Sequence, residues 1–440
     1  MENTREFGMG DRCLRFACLF LGLWLLLQIS ASADEIAYEK EQWRAEINAL
    51  KDRISVLETK LAQKDEEEKT RKPAQQNAAI ESLPSSVFLK EVKLSGVVDV
   101  SYVYNTNRPD SGTNTYRVFD RSANAFSPNL VELVLQREPK PDGDVGFRVD
   151  LDFGKDAEVF GAAGLGATTD EIDLQQAYLR LTAPLSKVFK LPDSHVAELR
   201  FGKFVTLHGA EVIESKDNWN FSRSLLFGYA IPFTHTGLRG YYNYNGIAEG
   251  YFGVVNGWDN VNDNNKSKSI EGRIALSPIK ELFSFSPWLN VMWGAEQPND
   301  DGNKRTLIDV GATVNPFEKL TLMVNADYGW ERGAFLDPNG NRSKDNAIWR
   351  GIALYGKYDI SDWWSLATRG EYFQDLNGTR TGIYRQGLYE VTATSEFKLY
   401  KNLITRLEYR HDESTTMPFV QRGEGVDHQD TVSAEMIYPF

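Results

Sequence analysis

Thr431-Val432-Ser433-Ala434-Glu435-Met436-Ile437-Tyr438-Pro439-Phe440 is the stretch on which the fold of this chain turns. Val432, Ala434, Met436, Tyr438 and Phe440 fall on one face; Thr431, Ser433, Glu435 and Ile437 fall on the other. Side chains of a strand alternate with a period of two, so this is a strand with one apolar face. Its length suits a tilted membrane strand of about 10 residues. A soluble protein gains nothing from ending on an aromatic carboxylate. An outer-membrane barrel does, because such a residue resembles the signal that barrel-assembly machinery reads, and Phe440 is the expected contact for that partner.

Upstream the same period recurs. In Val145–Phe153 the residues Val145, Phe147, Val149, Leu151 and Phe153 lie opposite Gly146, Arg148, Asp150 and Asp152. In 319–330, Leu320, Leu322, Val324, Ala326 and Tyr328 lie opposite Thr321, Met323, Asn325, Asp327 and Gly329. Sixteen such segments are expected, at 93–104, 129–137, 145–153, 172–182, 196–204, 235–244, 247–256, 269–276, 287–295, 305–314, 319–330, 348–359, 363–373, 387–398, 402–410 and 429–440. Short connections rich in turn formers, such as 243–246 and 315–318, alternate with long ones, such as 105–128 and 205–234. An even number of antiparallel strands with that asymmetry predicts an all-β fold, a 16-stranded transmembrane β-barrel over residues 90–440, facing outer-membrane lipid.

Composition agrees. The chain is 41% hydrophobic with negative mean hydropathy, as a barrel with a polar lumen is. Its 19 Tyr, 24 Phe and 10 Trp suit aromatic girdles. A net charge of -13 argues against a nucleic-acid partner.

The N-terminal part is different material. Residues 1–33 hold Arg5, Arg12 and Arg15, an apolar run Leu19–Leu27 and the small residues Ala31-Ser32-Ala33, the pattern of a cleaved secretory signal. Both cysteines, Cys13 and Cys18, lie inside it, which leaves no thiol chemistry for the mature chain. Residues 34–72 lack Gly and repeat Ile47, Leu50, Ile54, Leu57 and Leu61 in the 3-4 alternation of a heptad, so a periplasmic coiled-coil helix is expected. Ile at one core position and Leu at the other favour two strands. Arg53 and Glu58 with Ile54 and Leu57 between them resemble a short trimerisation motif, so a homotrimer is the expectation. Residues 73–89 read as a linker, and the coil could contact the cell wall.

If apolar faces meet lipid, the opposite faces line the lumen. They carry Arg148, Asp150, Arg180, Arg200, Arg239, Arg369, Glu371 and Arg406. Arg or Lys facing lipid at the midplane would cost about 2–4 kcal/mol each, so their regular placement on the wet face is expected. The long connection 205–234 is too apolar to wave in water. Folded into the barrel mouth, it would bury its aromatics and hold Glu211, Glu214, Lys216 and Arg223 over the passage.

Gly202–Thr206, Phe221–Gly237 and Val254–Asn260 with Asp263–Ser267 resemble the OmpL-like outer-membrane β-barrel porins, the porin-2 family. The resemblance covers roughly residues 90–440 and implies a porin-like channel without naming a solute; in general porins the third loop makes the constriction. It does not account for the coiled coil. Five scattered histidines show no metal-ligand spacing, and no Ser or Thr sits in a nucleophile context, so neither a metal, a cofactor nor catalysis is expected. The reading is a passive porin for ions and small hydrophilic solutes. Its rival is a structural anchor that tethers the envelope through the coil.

Overall fold

The computed structural model describes residues 91–440, apart from Asp142, 166–170 and 336–342, together with Lys51, Asp52 and Ser55, which are helical. The expected signal, linker and nearly all of the expected coiled coil, including Ile47, Leu50, Arg53, Ile54, Leu57, Glu58 and Leu61, lie outside the described residues.

Sixteen antiparallel strands close into a barrel: β1 (Lys93–Asn105), β2 (Ala125–Arg137), β3 (Val145–Phe153), β4 (Ile172–Thr182), β5 (Val196–Val205), β6 (Thr234–Tyr244), β7 (Ala248–Val255), β8 (Ser269–Leu276), β9 (Ser286–Gln297), β10 (Asp300–Phe317), β11 (Leu320–Arg332), β12 (Asn346–Ser361), β13 (Trp364–Asp375), β14 (Gln386–Leu399), β15 (Leu403–Ser414) and β18 (His428–Pro439). A small hairpin, β16 (Phe419–Gln421) with β17 (Glu424–Val426), interrupts the last long loop. Every expected strand is present. Several run further than alternation suggested; β9 and β10 extend until only Pro298 and Asn299 join them. Among the described residues no helix is long and apolar enough to cross a membrane.

β1 and β18 meet at a seam that closes the barrel. Val100 pairs with Met436 and Val97 with Pro439. Gly96 and Phe440 exchange both main-chain hydrogen bonds at 3.0 Å. A Cβ on Gly96 would lie 2.7 Å from Cζ of Phe440, so the terminal ring occupies space that only glycine leaves open.

Outward positions are apolar. Val432, Met436 and Tyr438 are about half exposed, whereas the inward Thr431, Ser433, Glu435 and Ile437 are buried. Outward aromatics gather at two levels. Trp363, Trp364 and Phe397 stack at the end with the short turns; Tyr372 with Tyr389 and Tyr102 with Phe126 pair at the end with the long loops. Trp364 and Tyr372 are eight residues apart on β13; at about 3.3 Å per residue and a tilt of about 40°, that is roughly 20 Å of apolar band, the height a membrane barrel needs.

The interior is not simply wet. Connection 206–233, called L3 below, turns inward and sets Ile213, Leu225, Leu226, Phe227, Ile231 and Phe233 in one apolar cluster with Val97, Phe204, Met292, Trp349, Phe373 and Ile437 from strands all round the barrel. Side chains alone cannot fill a lumen this wide. A folded-in loop does.

Candidate functional site

L3 leaves β5 at Thr206 and turns at Gly209, whose φ of +90° and close approach to Ile231 demand glycine. With only a 3-10 turn at Ser215–Asp217 and a turn of π-helix at Leu226–Ala230 as regular structure, the loop must find partners for most of its main-chain groups elsewhere. The barrel wall from β8 to β18 supplies them.

Arg273 of β8 donates to the carbonyl of Leu207 at 3.0 Å, and Asp309 of β10 accepts from the Gly209 amide at 3.2 Å. Trp349 of β12 donates to the Ala230 carbonyl at 3.0 Å. Glu371 of β13 accepts from the amides of Leu225 and Leu226 at 2.6 and 3.2 Å. Glu408 of β15 accepts from Phe221 and Ser222 at 2.7 and 3.0 Å. Arg369 donates to the Ser222 carbonyl at 2.6 Å, Arg406 to Ser215 and Asn218 at 2.9 and 2.7 Å, and Arg410 to Arg223 at 2.7 Å. A carboxylate accepting two amides, or a guanidinium donating to carbonyls, satisfies an irregular backbone at about 1.5–3 kcal/mol per charged hydrogen bond.

The expected lumen residues divide accordingly. Arg369, Glu371, Arg406, Glu211 and Arg223 are buried against the loop. Glu211 pairs with Arg369 at 2.7 Å and caps the Ser224 amide at 2.6 Å. Arg223 spends its guanidinium on the carbonyls of Val212, Ile213 and Phe221, 4.9 Å from the ring centre of Phe119. Arg239 of β6 is buried at the loop's root, paired with Glu271 at 2.8 Å and 3.9 Å above Phe204. Beside it, burial pushes His208 of L3 down to about 4.

On the other side the loop packs against Val97 and Phe204 but makes few hydrogen bonds: Gln175 of β4 donates to Glu214 at 3.0 Å. A cavity of about 510 Å³ lies there, at the turn end, lined by Glu132, Arg148, Gln176, Arg200, Glu214 and Lys216 among others. Arg148 pairs with the buried Asp150 at 2.9 Å, Arg180 and Arg200 both meet Glu198 at 2.6 and 2.5 Å, and Lys216 pairs with Asp217. These guanidiniums keep partial access to the lumen.

Three features had no distinctive signal in the sequence. Connection 106–124 caps L3 from the loop end: Phe119 meets Phe227 and Phe233 at 5.8 and 5.7 Å, and Arg117 binds Asp412 and Thr431 at 2.9 Å each. Inward Glu132 and Asp99 are single acids on strands otherwise read as apolar. Trp349 faces inward and is 1% exposed. Among the described residues no group of three His, Cys, Asp or Glu is arranged to hold a metal ion.

The family model described as beta-barrel porin-2, OmpL-like matches residues 91–440. No curated protein sequence matches the chain. Among solved structures, an anion-selective porin from Comamonas acidovorans superposes with a TM-score of 0.53 at 13% identity, covering 79% of this chain and 99% of that one. The outer membrane channel DcaP of Acinetobacter baumannii gives 0.51 at 13% identity, covering 79% and 97%. OmpT of Vibrio cholerae, an outer membrane protein in its trimer form, gives 0.51 at 11% identity, covering 79% and 99%. At these identities the likeness is one of fold, while the family match spans the whole barrel. The chain therefore belongs to the OmpL-like β-barrel porins, outer-membrane channels through which small solutes diffuse.

Proposed function

We propose that solutes pass this barrel by a narrow, wet route along the β1–β5 wall, beside an L3 that is fastened to the opposite side. The observation that carries this is the one-sidedness of the loop: its hydrogen bonds to β8, β10 and β12–β18 outnumber a single side-chain bond to β4, and the 510 Å³ cavity lies on the sparsely bonded side. Arg148, Asp150, Arg180, Arg200, Glu214 and Lys216 are then the lining residues. Glu211, Arg223, Arg239, Arg369, Glu371 and Arg406 set the constriction by holding the loop in place. The route is passive and non-enzymatic, and a water-filled wall replaces the hydration that lipid denies. The turn end, which carries both ends of the barrel, faces the periplasm.

A homotrimer fits this reading, in keeping with the heptads of 34–72 and with a fold relative solved as a trimer. The heptads also favour a second role, anchoring the envelope to the cell wall. Purified protein in planar bilayers tests the first reading: stepwise ion conductance is expected, and a folded protein that gives none refutes it. Removal of residues 35–72 tests the second. Loss of wall association with unchanged permeability supports an anchor; unchanged association removes it.

A further inference from the structure

The β1–β4 wall holds more carboxylates than cations. Asp150 has Arg148 and Asp173 has Lys203, at 2.9 Å each. Asp99, Glu132, Asp152, Asp156 and Glu214 form no ion pair. Asp152 of β3 faces Glu132 of β2 on one side and Asp173 of β4 on the other. It is fully buried, and neither of its carboxylate oxygens has a hydrogen-bond partner; Glu132, 2% exposed, has one oxygen equally unpartnered. Arg148 and Lys216 share a cavity with Glu132 but pair with Asp150 and Asp217, so the buried Glu132–Asp152 pair, costly without a donor or an ion pair of its own, calls for further positive charge.

A cavity lies at each end of this stretch. Glu132 lines the 510 Å³ cavity at the turn end. Asn129, three residues along the same strand, lines a second cavity of about 190 Å³ at the loop end, with Ser101, Asp120 and Lys155. Three residues of strand span about 10 Å. Asn129 in turn holds Asp99 at 2.9 Å, so the carboxylates form a column between the two spaces.

Building on the channel reading, we infer that the β1–β4 column is a cation path: Glu132 and Asp152, with Asp99, Asp156 and Glu214 around them, draw in and pass monovalent cations in preference to anions. No three of these groups are arranged to strip and coordinate a metal, which suits transit rather than tight binding. On the opposite wall Glu371, Glu390 and Glu408 are taken up by L3 and by Arg369, and the unpartnered carboxylate of Asp327 on β11 faces Asp309 of β10, which is itself held by Asn290, Asn325 and the Gly209 amide.

Reversal potentials of the full protein across a KCl gradient test this. The wild type is expected to pass K⁺ more readily than Cl⁻. The E132Q/D152N protein should still conduct, with its reversal potential shifted towards zero. A wild type that prefers Cl⁻, or neither ion, overturns the cation path while leaving the channel intact, and means the carboxylates hold protons only. So does a double variant with full K⁺ preference. Absence of any current overturns the channel reading itself and the path with it. E214Q, altering a loop residue with one hydrogen bond to the wall, serves if the double variant does not fold; it should weaken K⁺ preference, and an unchanged preference counts against the path.

Discussion

Glu371 and Glu408 on one side of the lumen, and Glu132 and Asp152 on the other, are all inward carboxylates of barrel strands, yet they meet different neighbours. The first two each accept a consecutive pair of L3 amides. The second two face each other across β2 and β3, form no ion pair, and leave three of their four oxygens without a hydrogen-bond partner. The difference lies in what the lumen brings to the wall. Where a loop lies down, acids and arginines become hydrogen-bond partners for irregular backbone and cease to act on solutes. Where it does not, the same residue types stay without protein partners, at the edge of a cavity or just beneath it.

The most drastic way to break this contrast is to remove the loop. Replacing 210–230 with a short Gly-Ser link should strip the β8–β18 wall of its cover and raise single-channel conductance several-fold. An unchanged conductance would mean that L3 does not set the constriction.

A second prediction contrasts the outer face with the inner. Leu354 points outward midway along β12 and is 57% exposed. Leu354→Arg should cost about 2–4 kcal/mol of folded stability in bilayers or micelles, read by denaturant titration of the folded barrel. A neutral result would place that face in water.

Within the lumen the two walls should respond unequally. Glu408→Gln weakens the hold on two buried amides and should destabilise the barrel by about 1.5–3 kcal/mol in the same titration. Glu214→Gln, on the open side, should leave stability nearly unchanged. Equal losses would erase the contrast.

The smallest expected effect is one of pH. His208 is buried at the root of L3 among His235, Asp309, Glu271 and Arg239, and its folded value near 4 lies below the ordinary 6.5. The folded state thus binds fewer protons there. The stabilisation is complete above about 6.5 and is lost as pH falls towards 4. Loop packing should loosen modestly over that window, seen as noisier current, and His208→Gln should remove the change.

The barrel was legible in the sequence because lipid imposes a period of two on every strand, from Val145–Phe153 to the final Phe440. Loop insertion was legible in part, since residues such as Phe221, Leu225 and Phe227 could not stay in water. The fates of individual charges were not. Arg200 and Arg369 read alike in a chain, both inward on strands; only the folded loop decides that one is buried beneath it and the other is left at the edge of a cavity. The inward turn of Trp349 was hidden for the same reason, its partner being a carbonyl more than a hundred residues away.

The one-sided route is the claim on which the rest depends, and charged-thiol labelling reads it directly. Residues 91–440 contain no cysteine. Arg200 of β5 and Lys357 of β12 both face inward with side chains 21% exposed, on opposite walls. With single cysteines at these positions, a bulky charged methanethiosulfonate added during recording should cut the current strongly through Arg200→Cys and barely through Lys357→Cys. Equal block, or stronger block at Lys357→Cys, would contradict a passage along the β1–β5 wall.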